Sequence, residues 1–257
     1  KNMYLDSLGN VIHDLSTYGK LAIGVPGTVF GIFDAHDRFG SLSIEQIFNP
    51  AIELAENGFP INESQAKLLN YYREDFIKFN PNNNYFIKSI PWKYGDTLVQ
   101  TDLAKTLKII RDKGVVSFYN GVLTQKILSS LGEESILCES DFQNYKSIWR
   151  PPIITNIHEY KIISMPPPSS GGVALSQLLM MIFNANLDNI NHNSVEYIHL
   201  LSELEKLVYA DRSKYLGDSD FYDVPIKFLL NEEYNKTRLK QINYTQTTPS
   251  KNIYPGN

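Results

Sequence analysis

The sequence predicts an α/β protein in which helices dominate and strands are few. Two observations carry this. After residue 40 the chain shows helix start and stop signals at short intervals, pairing capping residues with apolar repeats near 3.6. Only between residues 146 and 164 does the pattern change to short β-rich runs. At 257 residues, 42% hydrophobic and 20% charged, the chain can bury a substantial core, and disordered or membrane classes do not fit.

Residues 24–31 hold three glycines but lack the Gly-Lys-Ser/Thr ending of a phosphate-cradling loop, so they read as a tight packed turn. Ser43 with Gln46 forms a capping-box pattern, and Asn49-Pro50 restarts the chain, which predicts two helices before Asn57-Gly58. Asn62 with Gln65 repeats the capping signature ahead of residues 66–72; the run Asn80-Pro81-Asn82-Asn83-Asn84 then reads as a solvated loop. Thr101 caps a predicted helix carrying Leu103, Leu107 and Ile110 until Gly114 ends it, and a second amphipathic segment covers residues 116–131.

Residues 146–150 and 159–164 read as strands around a Pro151-Pro152 turn. Three prolines then forbid helix and central strand, and Ser169-Ser170-Gly171-Gly172 precede an apolar run, residues 173–182, which places a helix N-terminus there. Its unpaired N–H groups can hold an anion, although a capped junction without a ligand gives the same pattern. The longest predicted helix starts at Ser194, buries Tyr197, Ile198, Leu201, Leu204, Val208 and Leu207, and ends near Gly217. Residues 245–252 are polar and contain a proline, as expected of an exposed tail. Neither an internal repeat nor a domain boundary is evident.

The formal charge of −4, from 24 basic and 28 acidic side chains, gives no electrostatic footprint for nucleic acid. Cys138 is the only cysteine, so an internal disulfide framework is excluded. No apolar stretch approaches the roughly 18 residues of a membrane span, and the start of the chain has no signal-peptide core, so any export signal is expected upstream.

Metal chemistry finds weak candidates. Glu196, His199 and Glu203 share a helix face, but a bundle metal site needs a second Glu-x-x-His pair, which is missing. Asp211, Asp218, Asp220 and Asp223 lack the alternate spacing of a calcium loop; Asp211 and Arg212 read as holding the helix end against its neighbours, and Asp218 and Asp220 as shaping the following turn. His13, His36, His158 and His192 show no paired spacing, and Cys138 reads as packed.

The stretch Met165-Pro166-Pro167-Pro168-Ser169-Ser170-Gly171-Gly172 resembles the proline-serine-glycine motif of the γ-glutamyltranspeptidase (glutathione hydrolase) family. Gly24-Val25-Pro26-Gly27-Thr28-Val29-Phe30-Gly31 and residues 49–59, 95–100 and 209–218 resemble further blocks of that family in the same order, so the similarity spans nearly the whole chain.

The resemblance implies a four-layer αββα N-terminal-nucleophile hydrolase, with this chain mostly helical. The family is made as a precursor that cuts itself before a threonine; its freed amine serves as base while the hydroxyl attacks a γ-glutamyl carbonyl. Water or an amino-acid or dipeptide acceptor then takes the acyl group. On this alignment residues 1–257 form most of a large subunit, with Lys1 just after the family's substrate-carboxylate arginine and residues 244–257 a polar tail before the cleavage point. No catalytic residue is then expected on this chain. Thr247-Thr248 is followed by Pro249 rather than by the family's histidine, so the nucleophile is not carried onto either threonine.

Ser169, Ser170, Gly171 and Gly172 are expected to shape or support the glutamyl pocket at the subunit boundary. The expected partners are a small subunit carrying the N-terminal threonine, glutathione and other γ-glutamyl compounds, and an acceptor, with no nucleic acid, no membrane span, and neither metal nor organic cofactor. A periplasmic or secreted location follows from the same resemblance. Two alternatives remain: a capsule-type enzyme acting on poly-γ-glutamate, and a non-catalytic interaction protein on the same scaffold.

Overall fold

The computed structural model describes residues 2–80, 85–185, 187 and 190–257. Residues 81–84 of the expected asparagine loop lie outside the described residues. The chain divides into two compact units, Lys1–Ile148 and Trp149–Asn257, where the sequence showed no boundary; Ile148-Trp149 carries none of the Gly, Ser or charge signals of a linker.

The first unit contains α1 (Thr28–Phe39), α2 (Ile44–Asn57), α3 (Glu63–Tyr71), α4 (Arg73–Phe79), α5 (Thr101–Tyr119), α6 (Val122–Leu131) and α7 (Glu139–Gln143). Two short strands, β1 (Phe59–Pro60) and β2 (Thr97–Leu98), pair antiparallel. Its core packs Phe48, Ile52 and Ala55 of α2 against Ala104 and Ile110 of α5 and Leu123 of α6. A second cluster joins Ile61, Ala66, Trp92 and Leu98. The capping boxes at Ser43–Gln46 and Asn62–Gln65 form as expected.

Two expectations are corrected here. The chain does not break at Pro50: α2 runs through it as one helix. Pro50 lies on the exposed face, where water can satisfy the carbonyl that loses its donor, while Phe48, Ile52 and Ala55 bury the opposite face. Thr101 is the first helical residue rather than the cap, which is Gln100. Gly114 does interrupt the regular helix, at φ 66° and ψ −163°, but the chain resumes as a kinked α5 up to Tyr119.

In the second unit, β3 (Ile153–Ile157) and β4 (Tyr160–Ser164) form an antiparallel hairpin, followed by α8 (Gly171–Asn184), α9 (Val195–Tyr215), α10 (Ile226–Leu229) and α11 (Glu232–Leu239). The first strand therefore follows Pro151-Pro152 instead of preceding it. A proline pair just outside a strand costs no ladder bond, and Ile153, Thr155 and Ile157 alternate inward. The turn falls at His158-Glu159, with His158 at φ 50°. Thr155 Oγ1 donates to Ser176 Oγ of α8 at 2.8 Å, satisfying both hydroxyls in the core.

Helix α9 starts at the Ser194 cap, as expected. Its buried face is rotated from the expected stripe: Leu200, Glu203, Leu204, Leu207, Val208 and Asp211 are buried, whereas Ile198 is 55% exposed. Two carboxylates thus sit on the inner face, a choice that hydrophobicity alone cannot make. The polar stretch beyond Asn243 is mostly exposed yet anchored to this face.

Candidate functional site

Strand β4 ends at Ser164, and the chain turns through three prolines, with a cis peptide between Pro167 and Pro168, before α8 opens at Gly171. The Ser169 amide donates to the Pro166 carbonyl at 3.1 Å, closing the turn. Pro167 and Gly172 are buried, Ser169 and Ser170 half-buried, and Gly171 exposed. The backbone packs tightly here: a Cβ at Gly172 would stand 2.1 Å from the Met165 carbonyl oxygen, whereas one at Gly171 would meet only Ser169 Oγ at 3.4 Å.

The two hydroxyls divide the work. Ser169 Oγ accepts from the Gly171 amide at 3.3 Å. Ser170 Oγ accepts from Arg212 Nε at 2.9 Å, so the last turn of α9 braces the first turn of α8. At the opening of α8 the Gly171 amide is thus taken by Ser169 and the Arg212 guanidinium lies beside Ser170, while Gly172 and Val173 are buried. The ring nitrogens of His36 and His199 bond the carbonyls of Leu42 and Asn243, and His158 and His192 lie against Phe183 and Tyr197.

The other candidates are drawn into structural roles. Glu203 Oε1 accepts from Lys206 Nζ at 2.5 Å and from the Thr248 amide at 3.0 Å, so it does not converge with Glu196 and His199. Burial by itself would raise the Glu203 carboxyl, but the Lys206 and Thr248 donors outweigh it and hold the group below the ordinary glutamate value. Asp220 takes two parallel bonds from Arg150, at 2.8 and 2.6 Å, and Asp218 Oδ1 accepts the Asp220 amide. Arg150 holds the Asp220 carboxyl below the usual carboxylate range. Cys138 is exposed, its thiol donating to Asp141 at 3.2 Å. Among the described residues no group of three or more His, Cys, Asp or Glu side chains is placed to hold a metal ion.

A buried polar cluster escaped the sequence reading except for the general role assigned to Asp211. Asp211 Oδ1 accepts from the Gly256 amide at 2.8 Å and faces Arg238 Nη2 at 3.1 Å. Its Oδ2 accepts from Tyr234 Oη at 2.8 Å and Gln177 Nε2 at 3.2 Å. Burial, then the Asp211 carboxylate, push the Tyr234 phenol well above its ordinary value. Arg238 also donates to the Leu207 carbonyl and to Gln241. The only sequence signal was the Tyr-Ala-Asp-Arg block itself, since the partners are far apart in the chain.

The γ-glutamyltranspeptidase family model matches residues 1–257, and the chain belongs to that family. It is 40% identical over 260 aligned residues to the glutathione hydrolase proenzyme of Pseudomonas aeruginosa, covering 100% of this chain and 46% of that protein. The chain thus spans about half the length of the curated relatives it matches. The crystal structure of Helicobacter pylori γ-glutamyltranspeptidase superposes with a TM-score of 0.93 at 41% identity, covering 100% of this chain and 74% of that one. The capsule biosynthesis protein CapD proenzyme of Bacillus anthracis is more distant, 32% identical over 223 residues and covering 85% of this chain and 40% of that protein. No helix among the described residues is long and apolar enough to cross a membrane.

Proposed function

We propose that this chain is the large-subunit portion of a γ-glutamyltransferase and glutathione hydrolase, and that the threonine nucleophile belongs to a companion small subunit produced by cleavage of one precursor. The observation that carries this is the unbroken match of residues 1–257 to the family, with relatives named glutathione hydrolase proenzyme. The complete enzyme is then an αββα sandwich to which this chain contributes helices and the β3–β4 hairpin, and cleavage falls beyond residues 244–257.

In that enzyme the threonine hydroxyl attacks the γ-glutamyl carbonyl, its own α-amine taking the proton, and an acyl-enzyme forms as the amine product leaves. Water completes hydrolysis; an amino acid or dipeptide completes transfer. The part of Ser169, Ser170, Gly171 and Gly172 is to shape or support the glutamyl pocket at the subunit boundary through the fixed opening of α8. Arg212 keeps that opening in register. The chemistry calls for neither metal nor organic cofactor, and the location inferred from the family is periplasmic or secreted. The greater distance to CapD favours glutathione and small γ-glutamyl amides over poly-γ-glutamate.

Denaturing mass spectrometry of protein expressed from its full coding sequence, combined with glutamate release from glutathione, tests the proposal. Two species, the smaller beginning with threonine, together with glutamate release are expected. A single uncut species without turnover would overturn it.

A further inference from the structure

Gly256 is held on both sides by side chains of α9. Its N–H donates to Asp211 Oδ1 at 2.8 Å, and its carbonyl accepts from Tyr215 Oη. The grip leaves no room for a side chain, since a Cβ would stand 2.3 Å from Tyr234 Oη and 2.8 Å from Arg238 Cδ. Asp211, only 1% exposed, is itself fixed by Tyr234, Gln177 and Arg238. Gln177 lies on α8, Asp211 and Tyr215 on α9, and Tyr234 and Arg238 on α11, so three helices converge on one backbone residue outside any helix or strand.

The same helix grips the segment earlier as well: the Thr248 amide goes to Glu203 and its carbonyl to Lys206 Nζ. Between the two grips residues 249–252 are exposed. Ile253 adds apolar packing against the core of α8 and α9, but the four residues before it bury little. Buried, charge-assisted bonds to a single amide are a costly way to hold a chain unless its course matters.

We propose that Asp211 and Tyr215 are positioning residues for precursor maturation, a latch that fixes the path of the chain leaving Gly256. This rests on the reading above, in which one precursor is cut beyond this segment. The cut is hydrolysis of one peptide bond: water supplies hydroxyl to the carbonyl carbon and a proton to the nitrogen, which leaves as a free amine. Such a reaction needs its attacking oxygen within about 3–3.5 Å of the carbonyl carbon, and a chain pinned at Gly256 has less freedom to lose in reaching that geometry. The latch therefore acts on the rate of cutting.

The test follows the uncut precursor of the full-length protein over time on denaturing gels, for wild type, Asp211→Asn, Gly256→Ala and Tyr215→Phe. Hydrogen exchange at the Gly256 amide reports the latch directly. Cutting slowed by about tenfold or more in Tyr215→Phe, with Gly256 protection reduced and the melting temperature kept, is expected; Tyr215→Phe removes one hydroxyl and decides the matter if the other two fail to fold. Wild-type cutting rates in a folded Tyr215→Phe protein would overturn the latch alone. A wild-type precursor that never cuts would overturn the two-subunit reading and the latch with it.

Discussion

Arg212 Nε donates to Ser170 Oγ at 2.9 Å, joining residues 42 positions apart at the opening of α8. The bond is exposed, so Ser170→Ala should cost no more than about 1 kcal/mol of stability. Under the proposed function it should nonetheless slow maturation or turnover, because α8 loses its brace. Wild-type kinetics and maturation in Ser170→Ala, measured on the full-length protein, would count against a part for this serine in the pocket.

The two glycines beside it should behave differently. Gly172→Ala drives a Cβ to 2.1 Å from the Met165 carbonyl and should lose about 1–3 kcal/mol by urea unfolding. Gly171→Ala meets nothing closer than 3.4 Å and should stay within about 0.5 kcal/mol of wild type. Any loss of turnover in a stable Gly171→Ala protein then reports the pocket and not the fold.

Glu203 sets an acid limit on stability. Its carboxyl is held below the ordinary glutamate value of 4.5 in the folded chain despite burial. A carboxyl with a depressed folded pKa stabilises fully above its unfolded pKa, and that contribution disappears as pH falls through the folded one. Unfolding free energy measured from neutral pH into the acid range should therefore drop below about pH 4.5. Glu203→Gln should cost about 1–3 kcal/mol at neutral pH and flatten that part of the acid drop. An unchanged acid slope in the variant would refute the assignment.

The kink in α5 depends on one backbone conformation. Gly114, at φ 66° and ψ −163°, occupies a region that side chains strongly disfavour. Nothing but Phe33 Cε1, at 3.9 Å, lies near its would-be Cβ, so Gly114→Ala isolates backbone strain from packing. A loss of about 1–3 kcal/mol is expected in chemical denaturation.

Helix starts were legible because their causes are local. The hydrogen bonds of Ser43 with Gln46, Asn62 with Gln65 and Ser194 with Tyr197 lie within three residues, so the sequence contains the whole interaction. The α8 opening was legible for the same reason: prolines exclude regular structure, and the serines and glycines start a helix. Errors came where a long-range choice overrode a local rule. Pro50 stays inside α2 because its opposite face is buried against α5, and the hairpin forms after Pro151-Pro152 because the Ile153 face packs under α8.

By itself the sequence determined the helix-rich composition, most helix starts, the serine-glycine turn and, through the order of its motifs, the family. Tertiary structure alone decided which face of α9 is buried, that Ser170 meets Arg212, and that Asp211 meets Tyr234 and Gly256 across 23 and 45 residues. The physical reason is range. Capping bonds are settled by neighbours in the chain, whereas a buried carboxylate is tolerable only if distant donors arrive to satisfy it, and the fold as a whole brings them there.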